Sequence, residues 1–247
     1  VHKKVRTRTK PTANRGFTIV ELMIALSVLS VLLITVTLIL IQIGALYSKG
    51  VNAANLQTTN RNIVSDLSGQ LQFSGSAPVG CTPLANPPTC YANSVNDVGQ
   101  LDGGGNWAAT VYSYCIGSTR YSYVLNHELG TDSSNNQITR HVLWRDTLNP
   151  TATSCPALKI LSQDNPTDGS SQGDGYEVLG NHMRLTRFDI QPTSSSSGIY
   201  NIDVWMAFGD SDLVQTAANG LASCLSSTGT QFCVPSNIST QVIGRVF

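Results

Sequence analysis

The chain has 247 residues, with 15 lysines and arginines against 15 aspartates and glutamates, for a formal net charge of zero. That balance averages two unlike regions: residues 1–16 hold six bases (Lys3, Lys4, Arg6, Arg8, Lys10, Arg15) and no acid, so the remainder carries nine bases against 15 acids. An acidic body is poorly suited to gripping nucleic-acid phosphates, and the length accommodates one membrane segment plus one sizeable globular domain.

After the basic leader the composition changes abruptly. From Phe17 to Leu46 the only ionisable side chain is Glu21. A helix over this stretch, at ~1.5 Å per residue, exceeds one ~30 Å hydrocarbon core. Leu, Ile and Val occur on all of its sides, which predicts burial in lipid or among other helices all the way round. The preceding bases place the N-terminus in the cytoplasm and send the remainder across the membrane. In a secretory signal peptide the small-residue cleavage site follows the apolar run. Here the small residue, Gly16, precedes it. A cut after Gly16 removes the basic leader, keeps the apolar helix, and creates a new α-amino group on Phe17, four positions before Glu21.

The stretch "RGFTIVELMIALSVLSVL" resembles the N-terminus of type IV prepilins and of the related secretion-system pseudopilins. The resemblance covers roughly residues 15–40. It implies that a prepilin peptidase cuts after Gly16, that the new amine on Phe17 is methylated, and that Glu21 is the glutamate that meets the N-terminal amine of a neighbouring subunit during assembly. A charge inside a membrane helix costs about 2.5–3.5 kcal/mol at the bilayer centre and less near the end, so such pairing would favour entry into a filament. Many pilins interrupt this helix near its middle with proline or glycine. Here the first glycine after the leader is Gly44 and the next proline is Pro78, so melting of the helix is not expected.

Residues 47–74 change composition but keep a helical rhythm, with Leu56, Ile63, Leu67 and Leu71 recurring at steps of seven and four. They predict an amphipathic continuation of the membrane helix. The expected organisation is therefore a leader (1–16), a transmembrane and polymerisation helix (17–46), an amphipathic helix (47–74) and a β-rich extracytoplasmic head (75–247).

In the head, Pro, Gly and Asn clusters separate short runs rich in Tyr, Val, Ile and Trp. Strands are expected at 107–116, 120–128, 137–146, 182–190 and 199–208, with an edge strand at 238–247. The 199–208 run alternates most clearly, Tyr200, Ile202, Val204, Met206 and Phe208 on one face. The fold class is α+β, a long N-terminal helix packed against an antiparallel sheet. All six cysteines (Cys81, Cys90, Cys115, Cys155, Cys224, Cys233) follow the membrane segment, as in a disulfide-bonded domain outside the cytoplasm. Six cysteines permit fifteen pairings. Short separation favours Cys224 with Cys233, then Cys81 with Cys90.

Residue patterns for catalysis are weak. His2, His127, His141 and His182 occur singly, without a helical two-ligand spacing, and read as structural or surface residues. "GSSQG" around Ser171 matches a nucleophile-elbow pattern but lacks the hydrophobic strand before and the helix after it. The pairs Asp168 with Asp174 and Asp210 with Asp212 do not follow calcium-loop spacing and read as solvated turns. No enzyme, metal or cofactor is expected. The reading is a pilus subunit, a minor pilin before a bulk one because the chain is large, with a surface filament serving adhesion, motility or DNA uptake. Its implied partners are other pilin subunits, prepilin peptidase, the inner-membrane assembly machinery and membrane lipid. A secretion-system pseudopilin and a single-span anchored binding ectodomain are the alternatives. DNA contact would need a local basic patch, for which Arg184 and Arg187 in "RLTR" are the candidates.

Overall fold

The computed structural model describes residues 16–80, 95–98, 108–131, 138–139, 141–151, 155–161, 165–194, 198–210, 212–225 and 232–244. The chain divides into two compact units, Val1–Ala45 and Leu46–Phe247. One helix, α1 (Ile19–Phe73), runs through the boundary. It ends where Gly75, at φ 64°, takes the left-handed conformation open to glycine, and the Ser74 N–H closes on the Gln70 carbonyl at 2.8 Å.

Strands follow in the order β1 (Val79–Gly80), β2 (Val95–Val98), β3 (Ala108–Ile116), β4 (Thr119–Tyr123), β5 (Gly130–Thr131), β6 (Ile138–Thr139) and β7 (Leu143–Thr147). The second half adds β8 (Tyr176–Glu177), β9 (Met183–Pro192), β10 (Ile199–Phe208), β11 (Val214–Thr216), β12 (Ala222–Cys224) and β13 (Val234–Ile243). The architecture is α+β, as the sequence predicts, but the single expected sheet is two. One has the order β1-β3-β4-β7-β8 with β2 also on β3, and the other β13-β10-β9; all their pairings are antiparallel. Small pairs β5–β6 and β11–β12 complete the set.

Both large sheets meet the amphipathic half of α1 in one core. Leu56, Ile63, Leu67 and Leu71 are buried there with Tyr114, Tyr121, Tyr123, Phe188, Ile202 and Val204. Burying such side chains contributes about 1.5–3 kcal/mol each, which outweighs the weak helix propensity of a stretch rich in Asn, Thr and Ser. The same stripe contains Asn60, also fully buried. Its Nδ2 donates to the Val204 carbonyl at 3.1 Å and to the Ser236 carbonyl at 3.0 Å, so the helix is hydrogen-bonded to β10 and β13 as well as packed on them. On the other sheet, the Tyr121 hydroxyl donates to Asp66 at 2.6 Å, and Arg145 Nε reaches the same carboxylate oxygen at 2.8 Å.

Several strand boundaries differ from expectation for physical reasons. The run expected at 120–128 leaves its sheet after Tyr123. Asn126, at φ 63°, turns the chain, and the Asn126 and Leu129 N–H groups bond the Leu185 and Met183 carbonyls of β9. The segment thus crosses from one large sheet to the other. The 137–146 run divides, with Ile138–Thr139 paired to β5 and Leu143–Thr147 to β4. The last strand begins four residues earlier than expected and pairs with β10 in unbroken register from Phe208↔Val234 to Ile199↔Ile243. The alternation along β10 holds through Met206 and then breaks. A bulge opposite Trp205 and Met206 leaves Thr186 of β9 unmatched, so Ala207 becomes buried with Val214, Ala222 and Cys233 while Phe208 is only partly covered.

Candidate functional site

The start of α1 explains how a carboxylate is held at the edge of an apolar segment. The Thr18 N–H and hydroxyl each lie 2.9 Å from Glu21 Oε2, and the Glu21 N–H donates to the Thr18 hydroxyl oxygen at 3.2 Å. This is a reciprocal capping box, in which residues three apart satisfy the donors left open at a helix N-terminus. Its signature, Thr-x-x-Glu, stands in the sequence, and reading Glu21 only as a charge awaiting an amine overlooked it. Oε1 takes no bond among the described residues. The carboxylate thus keeps one free face, at the positive end of the helix dipole.

Beyond Glu21 the helix is apolar on every side. Its large hydrophobic side chains from Phe17 to Leu46 are 51–82% exposed. By length and composition this helix can cross a membrane. The hydroxyl side chains between Met23 and Ile41 all turn back on their own helix: Ser27 to Ile24, Ser30 to Leu26 and Ser27, Thr35 to Leu32, and Thr37 to Leu33, all at 2.8–3.0 Å. Such bonds leave no hydroxyl hydrogen unsatisfied in hydrocarbon.

Beyond α1, disulfides among the described residues join Cys224 to Cys233 and Cys115 to Cys155. Cys81 and Cys90 lie outside the described residues, as do residues 1–15, His2 among them. Cys155 packs with Cys115 and Leu148, and Ser113 donates to the Cys155 carbonyl at 2.8 Å.

Arg120 is the most buried charge nearby, fully enclosed. Its Nε donates to Asp146 Oδ1 at 2.9 Å, and its Nη1 reaches the Pro156 carbonyl, Asp168 and Ser170 at 2.9–3.0 Å. Burial opposes ionisation of Asp168, yet the bonds from Arg120 and Ser170 prevail and hold its carboxyl below the ordinary range. Asp174 is likewise held down, by the Thr147 hydroxyl and N–H. Each of these aspartates serves a neighbouring strand or loop, and the two do not converge on one point. Ser171 also lies in this loop, where its hydroxyl accepts from the Gly173 N–H at 3.1 Å. With a turn before it and a bend after it, it has no nucleophile-elbow geometry.

The remaining sequence candidates separate. Arg184 is buried on Glu128 and the Gly209 carbonyl, and Arg187 lies over the Trp205 ring at 4.8 Å while pairing with Asp203 at 2.9 Å. The two are committed to internal partners, so "RLTR" forms no open basic patch. His141 lies against Trp144, 3.5 Å from Glu177. Burial, reinforced by Arg184, lowers His127 to about 4, keeping it neutral at physiological pH. His182 meets Glu128 and Asp210, residues far apart in sequence that single-residue reading did not connect. Asp210 therefore faces His182 instead of forming a pair with Asp212.

Against known families, residues 11–39 match the family model described as the prokaryotic N-terminal methylation motif. No curated protein and no solved structure matches the chain.

Proposed function

The chain carries the N-terminal methylation motif of the type IV prepilins and pseudopilins, and from that premise we propose that it is a pilus subunit, a minor pilin. Prepilin peptidase cuts between Gly16 and Phe17 and the new Phe17 amine is methylated. The apolar helix then holds the subunit in the inner or cytoplasmic membrane, N-terminus inside, until assembly transfers it to a surface filament alongside other pilins. The observation that carries this reading is the motif at the junction of Gly16 with an exposed, uniformly apolar helix. Glu21 supports it, because the face left open by the capping box is available to the Phe17 amine of a neighbour. The head contributes the surface the filament displays, in adhesion, motility or DNA uptake. Its role is structural rather than catalytic.

Mass spectrometry of sheared surface filaments tests the assignment. An N-methylated peptide beginning at Phe17, present at a trace relative to a dominant subunit, is the expected result. The same peptide as the main species would make this the bulk pilin. Cleaved protein confined to the membrane fraction would assign a pseudopilin, and uncleaved protein there would leave a plain anchored ectodomain.

A further inference from the structure

Three segments of the head bring a nitrogen and two carboxylates to one point. Glu128 stands at the crossing where it bridges Arg184 of β9, His182 at the turn entering β9, and Asp210 at the turn leaving β10. His182 Nδ1 lies 2.9 Å from Glu128 Oε1 and 3.0 Å from Asp210 Oδ1, and the three donor atoms lie within 4.8 Å of one another. We propose that Glu128, His182 and Asp210 form a binding site for a divalent transition-metal ion such as zinc.

The donor spacing suits such an ion. A cation ~2.1 Å from each donor requires neighbouring donors about 3.0–3.4 Å apart, and the two contacts to Nδ1 fall at that scale. One imidazole nitrogen with two carboxylates favours zinc and its neighbours over calcium or magnesium, which prefer shells made wholly of oxygen.

The site is built from fixed parts. The His182 N–H donates to the Leu129 carbonyl at 2.8 Å, the Gly209 N–H to the His182 carbonyl at 2.9 Å, and the imidazole meets the Phe208 ring edge-on at 6.1 Å. Arg184 Nη2 holds the second Glu128 oxygen at 3.1 Å and the Gly209 carbonyl at 2.7 Å, which orients Oε1 toward His182, the role outer partners of metal ligands perform. Two carboxylates against one guanidinium leave the cluster with a net negative charge. The Glu128 side chain is 5% exposed, while those of His182 and Asp210 are 46% and 40% exposed, so a cation has an entry path and room for water as a further ligand. On binding, Nδ1 gives the ion its lone pair, and the imidazole proton resides on Nε2 or leaves to solvent. The inference stands independently of the pilus reading.

The test is isothermal titration of the detergent-solubilised full chain, disulfides intact, with zinc, cobalt(II) and calcium in turn. Zinc and cobalt should each bind saturably at a single site. Affinity should fall roughly tenfold or more in His182→Asn and Asp210→Asn and stay unchanged in Asp212→Asn. Asparagine is chosen at 182 because the position sits at φ 60°, which asparagine tolerates. Peptide mapping after diethylpyrocarbonate treatment of the unmutated chain gives a second readout: zinc should shield His182 and leave His141 as reactive as before. Absence of saturable binding, affinity undiminished from the unmutated chain in His182→Asn and Asp210→Asn, unshielded His182, or calcium bound as tightly as zinc would overturn the proposal.

Discussion

Thr18 and Glu21 satisfy each other across the first turn of α1: both donors of Thr18 converge on one oxygen of Glu21, and the Glu21 N–H returns to the Thr18 hydroxyl. The two residues therefore separate two roles that a single glutamate substitution would confuse. Thr18→Val removes the two bonds of the hydroxyl, leaves the residue-18 N–H on Glu21 and keeps the charge, at a cost of about 1 kcal/mol in helix-end stability. Glu21→Ala removes the charge and the bonds it accepts. With the pilus reading, membrane insertion survives either change, Glu21→Ala is lost from sheared filaments, and Thr18→Val is incorporated at a reduced level. Immunoblots of membrane and filament fractions measure this. Normal incorporation of Glu21→Ala would remove the pairing account.

Arg120 is the next place where one side chain governs several segments. Arg120→Met leaves Asp146 buried without its counter-charge, and the expected loss is about 3–5 kcal/mol. Arg120→Met combined with Asp146→Leu should recover much of that loss, because the uncompensated charge disappears with its partner. Denaturant melts of the two variants give the comparison. A double variant no more stable than the single one would show that geometry, and not charge, sets the cost.

The same network predicts a pH dependence. Against the opposing effect of burial, Arg120 and Ser170 hold the Asp168 carboxyl below its ordinary value, so in the folded state it binds protons less readily than in the unfolded chain. Its contribution is complete above about pH 5, beyond the unfolded value near 3.9, and fades as pH falls through the lower folded value. Asp168→Asn should therefore destabilise by about 1 kcal/mol at neutral pH, a figure reduced for the partial exposure of this side chain, and by nothing once the native carboxyl is protonated. Stability curves of both proteins should converge on the acid side. A constant offset at all pH values would contradict the linkage.

The two disulfides among the described residues should contribute unequally. Cys115–Cys155 closes 40 residues and Cys224–Cys233 closes nine. On the loop-entropy account these correspond to about 4 and about 2.5 kcal/mol. Pairwise Cys→Ala variants compared by denaturant midpoint should rank accordingly. The reverse ranking would place the stabilisation in local packing rather than in chain closure.

Local periodicity carried much of the fold. The buried stripe of α1 and the alternation of β10 up to Met206 are visible because each depends on a single element and one covered face. Asn60 was less visible because a polar residue at a core position declares its role only when the carbonyls of Val204 and Ser236 are beside it. The crossing at Asn126 and the unmatched Thr186 were hidden for a related reason: both arise from pairing with β9, some 60 residues away or on the neighbouring strand. The grouping of Glu128, His182 and Asp210 is the extreme case, since three isolated letters share no local pattern. By contrast the Thr18–Glu21 cap lies within four consecutive residues and was readable throughout.

The back-bonded hydroxyls of α1 have a consequence for recognition. Between Met23 and Ile41 the side-chain hydroxyl hydrogens are already committed to the helix's own carbonyls, so no free side-chain donor faces a neighbour and only the Ser and Thr oxygens can accept from one. An acyl chain or another helix lying alongside therefore finds no side-chain donor to align with and meets this stretch mainly through the shape of its apolar side chains.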